Sequence, residues 1–281
     1  MDPHASLSVA QCMQQALRQG LARMDAQILL LHALARPLHD RAWLLAHDTD
    51  LLTEAQQRSW GQALHRRLQG EPVAYITGRK DFFGLTLAVD ARVLDPRPDT
   101  EILVEWALEL LPSGQTARVL DLGTGSGAVA LALQHQRPAA QVTAVDASAA
   151  ALAVAGANAQ HLNLPVQWVL SHWMDAVTGP FDLIVSNPPY VAEGDPHLAA
   201  LTHEPLSALT SGVDGLDDIR QIIAQAPNRL APGGWLLLEH GWDQAVPVQA
   251  LLRRAGFEEV QSRRDLGGIE RCTGAHLPHG T

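Results

Sequence analysis

Arg118-Val119-Leu120-Asp121-Leu122-Gly123-Thr124-Gly125-Ser126-Gly127 is an apolar, β-branched run that breaks into a loop with glycine at every second position, and helix-forming residues continue from it through Leu133. A run of this composition reads as a buried strand. The glycines permit a tight turn and let a ligand approach the backbone near the start of a helix. Outward from this unit the alternation repeats. A strand over 141–145 ends in Asp146 and is followed by a helix over 149–159; a strand over 166–170 leads to His172 and Trp173; a strand over 181–185 leads to Ser186-Asn187-Pro188-Pro189-Tyr190. Beyond a loop carrying Glu204-Pro205-Leu206 come a helix over 216–230, a Pro232-Gly233-Gly234 turn, a strand over 235–239, a helix over 244–255 and closing strands at 257–261 and 271–273. Strands and helices alternating with short connectors predict an α/β domain built on a doubly wound sheet, with ligands at the C-terminal edge of the strands.

Gly123 to Gly127, Asp146, Trp173 and Asn187 all fall on that edge. A carboxylate ending the second strand, roughly twenty residues past the loop, is placed to accept hydrogen bonds from ribose hydroxyls. Gly123, Gly125 and Ala128 also satisfy the relaxed dinucleotide pattern, so the loop alone fits a nicotinamide enzyme as well as an adenosyl cofactor. Trp173 reads equally well as one wall of an adenine slot and as a core residue. The two prolines after Asn187 forbid both helix and ladder and leave carbonyls that no regular element consumes. The Asn187 oxygen, the Pro188 carbonyl and the Tyr190 ring together suit a flat group bearing an NH2. In isolation the tetrapeptide is more often a surface turn. Beside a glycine loop and an acid on the same edge it becomes an amino-group clamp, for which a nicotinamide enzyme has no use.

The chain has 281 residues, enough for one large and one small domain. Hydrophobic residues make up 47% and charged ones 18%, and no apolar run approaches the roughly 18 residues of a membrane span. Lys and Arg total 20 against 30 Asp and Glu, a net charge of −10, so the surface as a whole does not attract polyanions. Cys12 and Cys272 are too few for a disulfide framework, and Met1-Asp2-Pro3-His4 lacks the basic start of a signal peptide, so the cytoplasm is expected. The 13 histidines are scattered without ligand spacing, and no metal is expected.

Residues 6–69, within a first domain over 1–70, carry helical signals only: Ser8 before a helical apolar pattern ending at Gly20, an apolar face over 24–35, a short piece over 40–46, and a helix from Thr53 to Leu68 stopped by Gly70. This is a small bundle, read as a recognition domain or a structural cap. Partial alternation from Glu71 to Val89 suggests a hairpin, giving a linker over 71–95 and a large domain over 96–281. Pro96-Arg97-Pro98-Asp99-Thr100-Glu101 precedes a helix over 102–111 that Asp99 or Thr100 is expected to cap; taken alone it is a stiff linker.

Gly70-Glu71-Pro72-Val73-Ala74-Tyr75-Ile76-Thr77-Gly78, the Phe82 to Leu85 segment, Pro96 to Glu101, Asp121 to Gly127, Ser186 to Tyr190, Glu204-Pro205-Leu206 and Leu238-Glu239-His240-Gly241 form an ordered set that resembles the release-factor glutamine methyltransferase family (PrmC/HemK) from the first helices to about Arg271. The resemblance implies a Rossmann-like class I methyltransferase domain. It implies transfer of a methyl group from S-adenosyl-L-methionine to the side-chain amide nitrogen of the glutamine in the Gly-Gly-Gln motif of class I peptide chain release factors. Gly123, Thr124, Gly125, Ser126, Gly127, Asp146, Trp173 and Asn187 would then contact the cofactor. Asn187, Pro188, Pro189 and Tyr190 would hold the glutamine, with Asn187, Pro188 and Tyr190 acting in the transfer. A monomer touching neither nucleic acid nor membrane is expected. The chain departs from the family at Asp95, where an apolar residue is usual, at His172, where an Asp commonly precedes the aromatic, and in a shorter segment before Glu204. An amino methyltransferase acting on a nucleobase is the runner-up, disfavoured by net acidity and the lack of Lys/Arg runs; a non-catalytic release-factor-binding adaptor would show an eroded loop or elbow.

Overall fold

The structure, a computed structural model, describes residues 6–279; the opening Met1-Asp2-Pro3-His4, where no leader is expected, lies outside them. The chain divides into two compact units, with the boundary between Arg79 and Lys80.

The first unit is helical: α1 (Val9–Arg18), α2 (Arg23–Ala33), α3 (Arg41–Ala46), α4 (Glu54–Leu68) and α5 (Val73–Thr77). Capping boxes start α1 and α4, pairing Ser8 with Gln11 and Thr53 with Gln56; each satisfies amide donors that a helix start otherwise leaves free. Leu29, Leu30 and Leu31 are all fully buried, so α2 is covered on nearly every side, and Cys12, Ala16 and Trp60 pack in the same core. Residues 71–78, expected in the hairpin, instead form α5. Pro72 sets its start, the Thr77 hydroxyl turns back onto the Val73 carbonyl at 3.0 Å, and Gly78 ends it at φ 71°. Local hydrogen bonding thus outweighs the partial alternation.

The second unit opens with a hairpin of β1 (Arg79–Phe82) and β2 (Leu85–Ala88), joined by Phe83 and Gly84, both at positive φ as a two-residue hairpin turn requires. After α6 (Glu101–Leu110) come β3 (Arg118–Leu122), α7 (Ala128–Gln136), β4 (Gln141–Asp146), α8 (Ala149–Leu162), β5 (Gln167–Leu170), β6 (Phe181–Ser186), α9 (Asp217–Gln225), β7 (Leu230–Glu239), α10 (Ala245–Arg254), β8 (Glu258–Arg264) and β9 (Glu270–His276). They build a seven-stranded sheet ordered β5-β4-β3-β6-β7-β9-β8. β3 to β7 run parallel; β9 lies antiparallel to both β7 and β8. Strand order reverses at β3, with β4 on one side and β6 on the other, which opens a crevice at their C-terminal ends.

Two cores explain the apolar strands. Val119, Leu183, Val185 and Leu237 face α6, α7 and the hairpin, whereas Leu120, Ile184, Leu236 and Leu238 face α9 and α10. Successive apolar residues enter opposite cores, so these strands are apolar except where a polar side chain has its own partner, as Asp121 has in Thr124, or reaches solvent, as Asp182 does. The Pro232-Gly233-Gly234 stretch is not a turn but the bulged first half of β7, where Gly233 N donates to Leu277 O; a bulge tolerates the missing proline donor. Neither Asp99 nor Thr100 caps α6 through its side chain. Both are committed elsewhere. The two cysteines are free and buried, Cys12 in the first unit and Cys272 in the second. Among the described residues no helix is long and apolar enough to cross a membrane.

Candidate active site

The glycine loop is held from three sides. Asp121 Oδ2, at the end of β3, accepts from the Thr124 hydroxyl at 2.6 Å and from Ala130 N at 3.2 Å. Asp146 Oδ2 accepts from Gly125 N at 2.9 Å, and its Oδ1 from Ser148 N at 2.8 Å. Each Asp146 oxygen keeps a lone pair for a ligand. Asn158, buried in α8, donates to Ser126 O and to Ala88 O while accepting from Ala88 N, which ties the loop to β2. Gly123, Gly125 and Gly127 all take positive φ. Gly127 is also a packing position: an added Cβ would lie 3.1–3.2 Å from Leu131, Ala155 and Trp168.

The elbow after β6 is fixed by its neighbours. Asn187 Nδ2 donates to Thr100 Oγ1 at 3.1 Å. The Tyr190 carbonyl accepts from Gln244 Nε2 at 3.0 Å. Among the described residues no backbone donor takes the Pro188 carbonyl. The segment before α6, expected as a linker, instead spends one side chain on each surrounding element. Arg97 pairs with the buried Glu204 at 2.5 Å; Asp99 lies 3.6 Å from Arg271 in β9; Thr100 meets Asn187; Glu101 accepts from Phe83 N at 2.9 Å in the hairpin turn. Asp95 is buried with its charge compensated by Lys80 at 3.1 Å, and its amide donates to Glu204.

These pieces surround a cavity of about 470 Å³ lined by Gly123, Thr124, Gly125, Ser126, Asp146, His172, Trp173, Asn187 and Pro189 among others, with Pro205, Ser207 and Ala208 from the loop after the elbow. Gly127, Pro188 and Tyr190 do not line it. Trp173 packs in the α9/α10 core and also faces the cavity, its Nε1 donating to Asp218 at 3.2 Å. A Cβ at position 123 would meet its ring in ordinary contact at 3.4 Å, so it is the φ of 70°, and not crowding by the wall, that favours glycine there.

Two buried carboxyls lie beneath the site. Burial pushes Asp121 up to about 7, against hydrogen bonds from Thr124 and Ala130 that favour its charge. Burial likewise pushes Glu239 up to about 7, opposed first by the Thr100 hydroxyl, and among the described residues its Oε2 has no hydrogen-bond partner. Burial and the Glu239 charge hold the Tyr190 phenol above its ordinary value. Thr100, Asp121, Asn158, Glu204, Asp218 and Glu239 were not singled out as site residues from sequence. A signal existed for Asn158, a lone amide in an alanine-rich helix, and for Glu239, a carboxylate ending a run of leucines. None marked Asp218.

A carboxylate-braced glycine loop and an Asn-Pro-Pro elbow at the switch point of this sheet define a class I methyltransferase domain. The Methyltransferase small domain family model matches residues 98–264, and the PrmC N-terminal domain model matches residues 8–78. The chain belongs to the release factor glutamine methyltransferase family. It is 52% identical over 262 residues to the release factor glutamine methyltransferase of Bordetella pertussis, covering 92% of this chain and 96% of that protein. It is 49% identical over 256 residues to the one from Pseudomonas aeruginosa, covering 90% and 91%. In fold alone it resembles a methyltransferase crystal structure from Pyrococcus furiosus, with a TM-score of 0.55 at 19% identity over 78% of this chain and 99% of that one.

Proposed function

We propose that this protein transfers the methyl group of S-adenosyl-L-methionine to the side-chain amide nitrogen of the glutamine in the Gly-Gly-Gln motif of class I peptide chain release factors. The observation that carries this reading is the placement of Asn187, its oxygen unclaimed among the described residues, on the wall of the cavity that holds the glycine loop and Asp146. The residues fit the cofactor: the glycines leave room for close backbone approach, Asp146 has acceptor capacity for ribose hydroxyls, and Trp173 supplies a flat wall. When bound, the cofactor supplies an electrophilic methyl on a sulfonium. Gly123, Thr124, Gly125, Ser126, Asp146, Trp173 and Asn187 would hold it from the cavity wall, and Gly127 from behind through the loop's shape.

An amide nitrogen is a poor nucleophile because its lone pair is delocalised. Asn187 Oδ1 and the Pro188 carbonyl would accept its two hydrogens, orient the nitrogen and strengthen those bonds as positive charge develops there. Pro189 keeps the elbow rigid and Tyr190 backs the flat group. The proton becomes acidic only on alkylation, so no general base is assigned. The first unit is read as the part that recognises the release factor body, and the acidic surface favours a protein substrate over nucleic acid in a cytoplasmic monomer.

The test is incubation with labelled cofactor and, in parallel, an unmodified release factor, its Gln→Ala variant and duplex DNA. Label is expected in the unmodified release factor alone, with Asn187→Ala slowing transfer by at least about 100-fold, as losing one preorganised partner of developing charge does. Label in DNA, or none in any of the three, would overturn the reading.

A further inference from the structure

The proposed clamp works only if the Pro188 carbonyl keeps its direction while charge develops on the nitrogen beside it. Proline rings fix φ at positions 188 and 189 but leave ψ free, so that direction depends on what holds the two ends of the elbow. The near end is held on the sheet: the Ser186 hydroxyl donates to Leu122 O at 2.8 Å, and Asn187 Nδ2 donates to Thr100 Oγ1. The far end is Tyr190. Beyond it the chain leaves the sheet, with Val191 N donating to Leu209 O at 2.8 Å and Ser211 N to Val191 O at 3.0 Å, in the loop between β6 and α9.

Gln244 ties that far end down. Its Nε2 donates to Tyr190 O at 3.0 Å and to Asp214 O at 3.2 Å, and its Oε1 accepts from Gly241 N at 2.8 Å. Three segments meet on this one side chain: the elbow, the loop before α9 and the turn between β7 and α10. Two carbonyls need a donor and a backbone N–H needs an acceptor, so the partners themselves fix which way the amide points. Among side chains, only a primary amide offers two hydrogens and an acceptor at one tip. Gln244 is buried, which keeps these bonds out of reach of bulk water. Gly215 closes the junction from the other side. At φ 73° it passes so near that an added Cβ would overlap the Tyr190 carbonyl oxygen and lie 2.8 Å from Gln244 Nε2. The Leu238-Glu239-His240-Gly241 stretch, otherwise idle in the reaction, thereby gains a use: it delivers the Gly241 N–H and Gln244 to the elbow.

We propose that Gln244 is a positioning residue, which fixes the Tyr190 end of the elbow and with it the direction of the Pro188 carbonyl toward the acceptor nitrogen; this rests on the substrate reading above. The experiment measures single-turnover methylation of an unmodified release factor by the full chain at saturating enzyme, with cofactor Kd and thermal midpoint. Gln244→Leu is expected to slow transfer by about 10- to 100-fold, the scale of a misplaced reacting group, while cofactor Kd stays within about threefold. Gly215→Ala, which displaces the same carbonyl from the other side, is expected to show the same pattern. Gln244→Glu adds a readout that a merely structural role would not move. Ionised, it turns acceptors on two carbonyls; protonated, it keeps one donor for Tyr190 O. Well below the thermal midpoints, its rate divided by that of Gln244→Leu is expected to rise at least about fivefold as pH falls from about 9 to about 6, the range into which burial lifts such a carboxyl. The titratable groups on the three segments, Tyr190, Glu239, His240, Asp243 and Asp214 with its partner Arg220, are common to both variants and cancel in that ratio. A Gln244→Leu rate equal to wild type, a loss found only in cofactor Kd or in half-saturation by the release factor, or a flat ratio would overturn the inference while leaving the substrate reading intact. If the Gln244 variants do not fold, Gly215→Ala decides: slowed transfer at unchanged cofactor Kd supports the inference, and a wild-type rate overturns it. An inactive wild type would overturn both readings.

Discussion

Asp121 and Glu239 are carboxyls whose burial raises them to about 7 from ordinary values of 3.8 and 4.5. A group whose folded pKa lies above its unfolded one contributes its stability fully below the unfolded value and loses it as pH rises through the folded value. The contribution of these two carboxyls to folding stability is therefore expected to fall as pH rises from about 4 to about 8. Denaturant midpoints measured across that range check it: Glu239→Gln should flatten the profile and lie above wild type at pH 8. A Glu239→Gln profile parallel to wild type would place the loss elsewhere. Gly127 offers a second test at this scale. Its φ of 83° and the 3.1–3.2 Å approach of three side chains strain and crowd an added methyl, so Gly127→Ala is expected to destabilise by about 1–3 kcal/mol. A midpoint equal to wild type would show that α7 shifts freely.

Asn158 is the clearest case of one element serving another, since α8 reaches through it to both β2 and the glycine loop. Asn158→Leu leaves three backbone groups without a partner, at about 1–3 kcal/mol for each one that stays buried. Calorimetry should show weaker cofactor binding in the folded variant; unchanged affinity would mean that the loop holds its shape without the clamp. The strands of the second unit were legible in the sequence because the apolar residues of β3, β6 and β7 feed two cores on opposite faces, and the glycine loop was legible because its turn needs glycine. The segment from Pro96 to Glu101 was not. Its residues are polar for reasons lying 18 to 107 positions away in Glu101–Phe83 and Arg97–Glu204, and local signals could only propose a cap. Thr100 has the residue type of a cap and the geometry of a tether. The Pro232-Gly233-Gly234 bulge escaped for the opposite reason: it has turn composition, and only pairing with Leu277 makes it a strand.

Across the second unit, the ion pair of Arg97 with Glu204 anchors the loop that supplies Pro205, Ser207 and Ala208 to the cavity. Glu204 is buried to 2% at its side chain, so Glu204→Ala leaves Arg97 only the looser 3.9 Å approach of Asp95 and leaves the Asp95 amide without its acceptor, and is expected to raise KM for the cofactor several-fold, with a steeper loss than Arg97→Lys. Steady-state kinetics at varied cofactor decide; equal KM values would show the loop to be a bystander. Cys12 and Cys272 have one more consequence. Burial lifts the Cys12 thiol to about 12 and holds Cys272 well above its ordinary value, and only a thiolate reacts. The native chain should therefore be silent to maleimides. Each compact unit then carries one internal clock, and labelling at graded denaturant times the opening of the helical unit through Cys12 and of the sheet through Cys272, on a single chain without added probes.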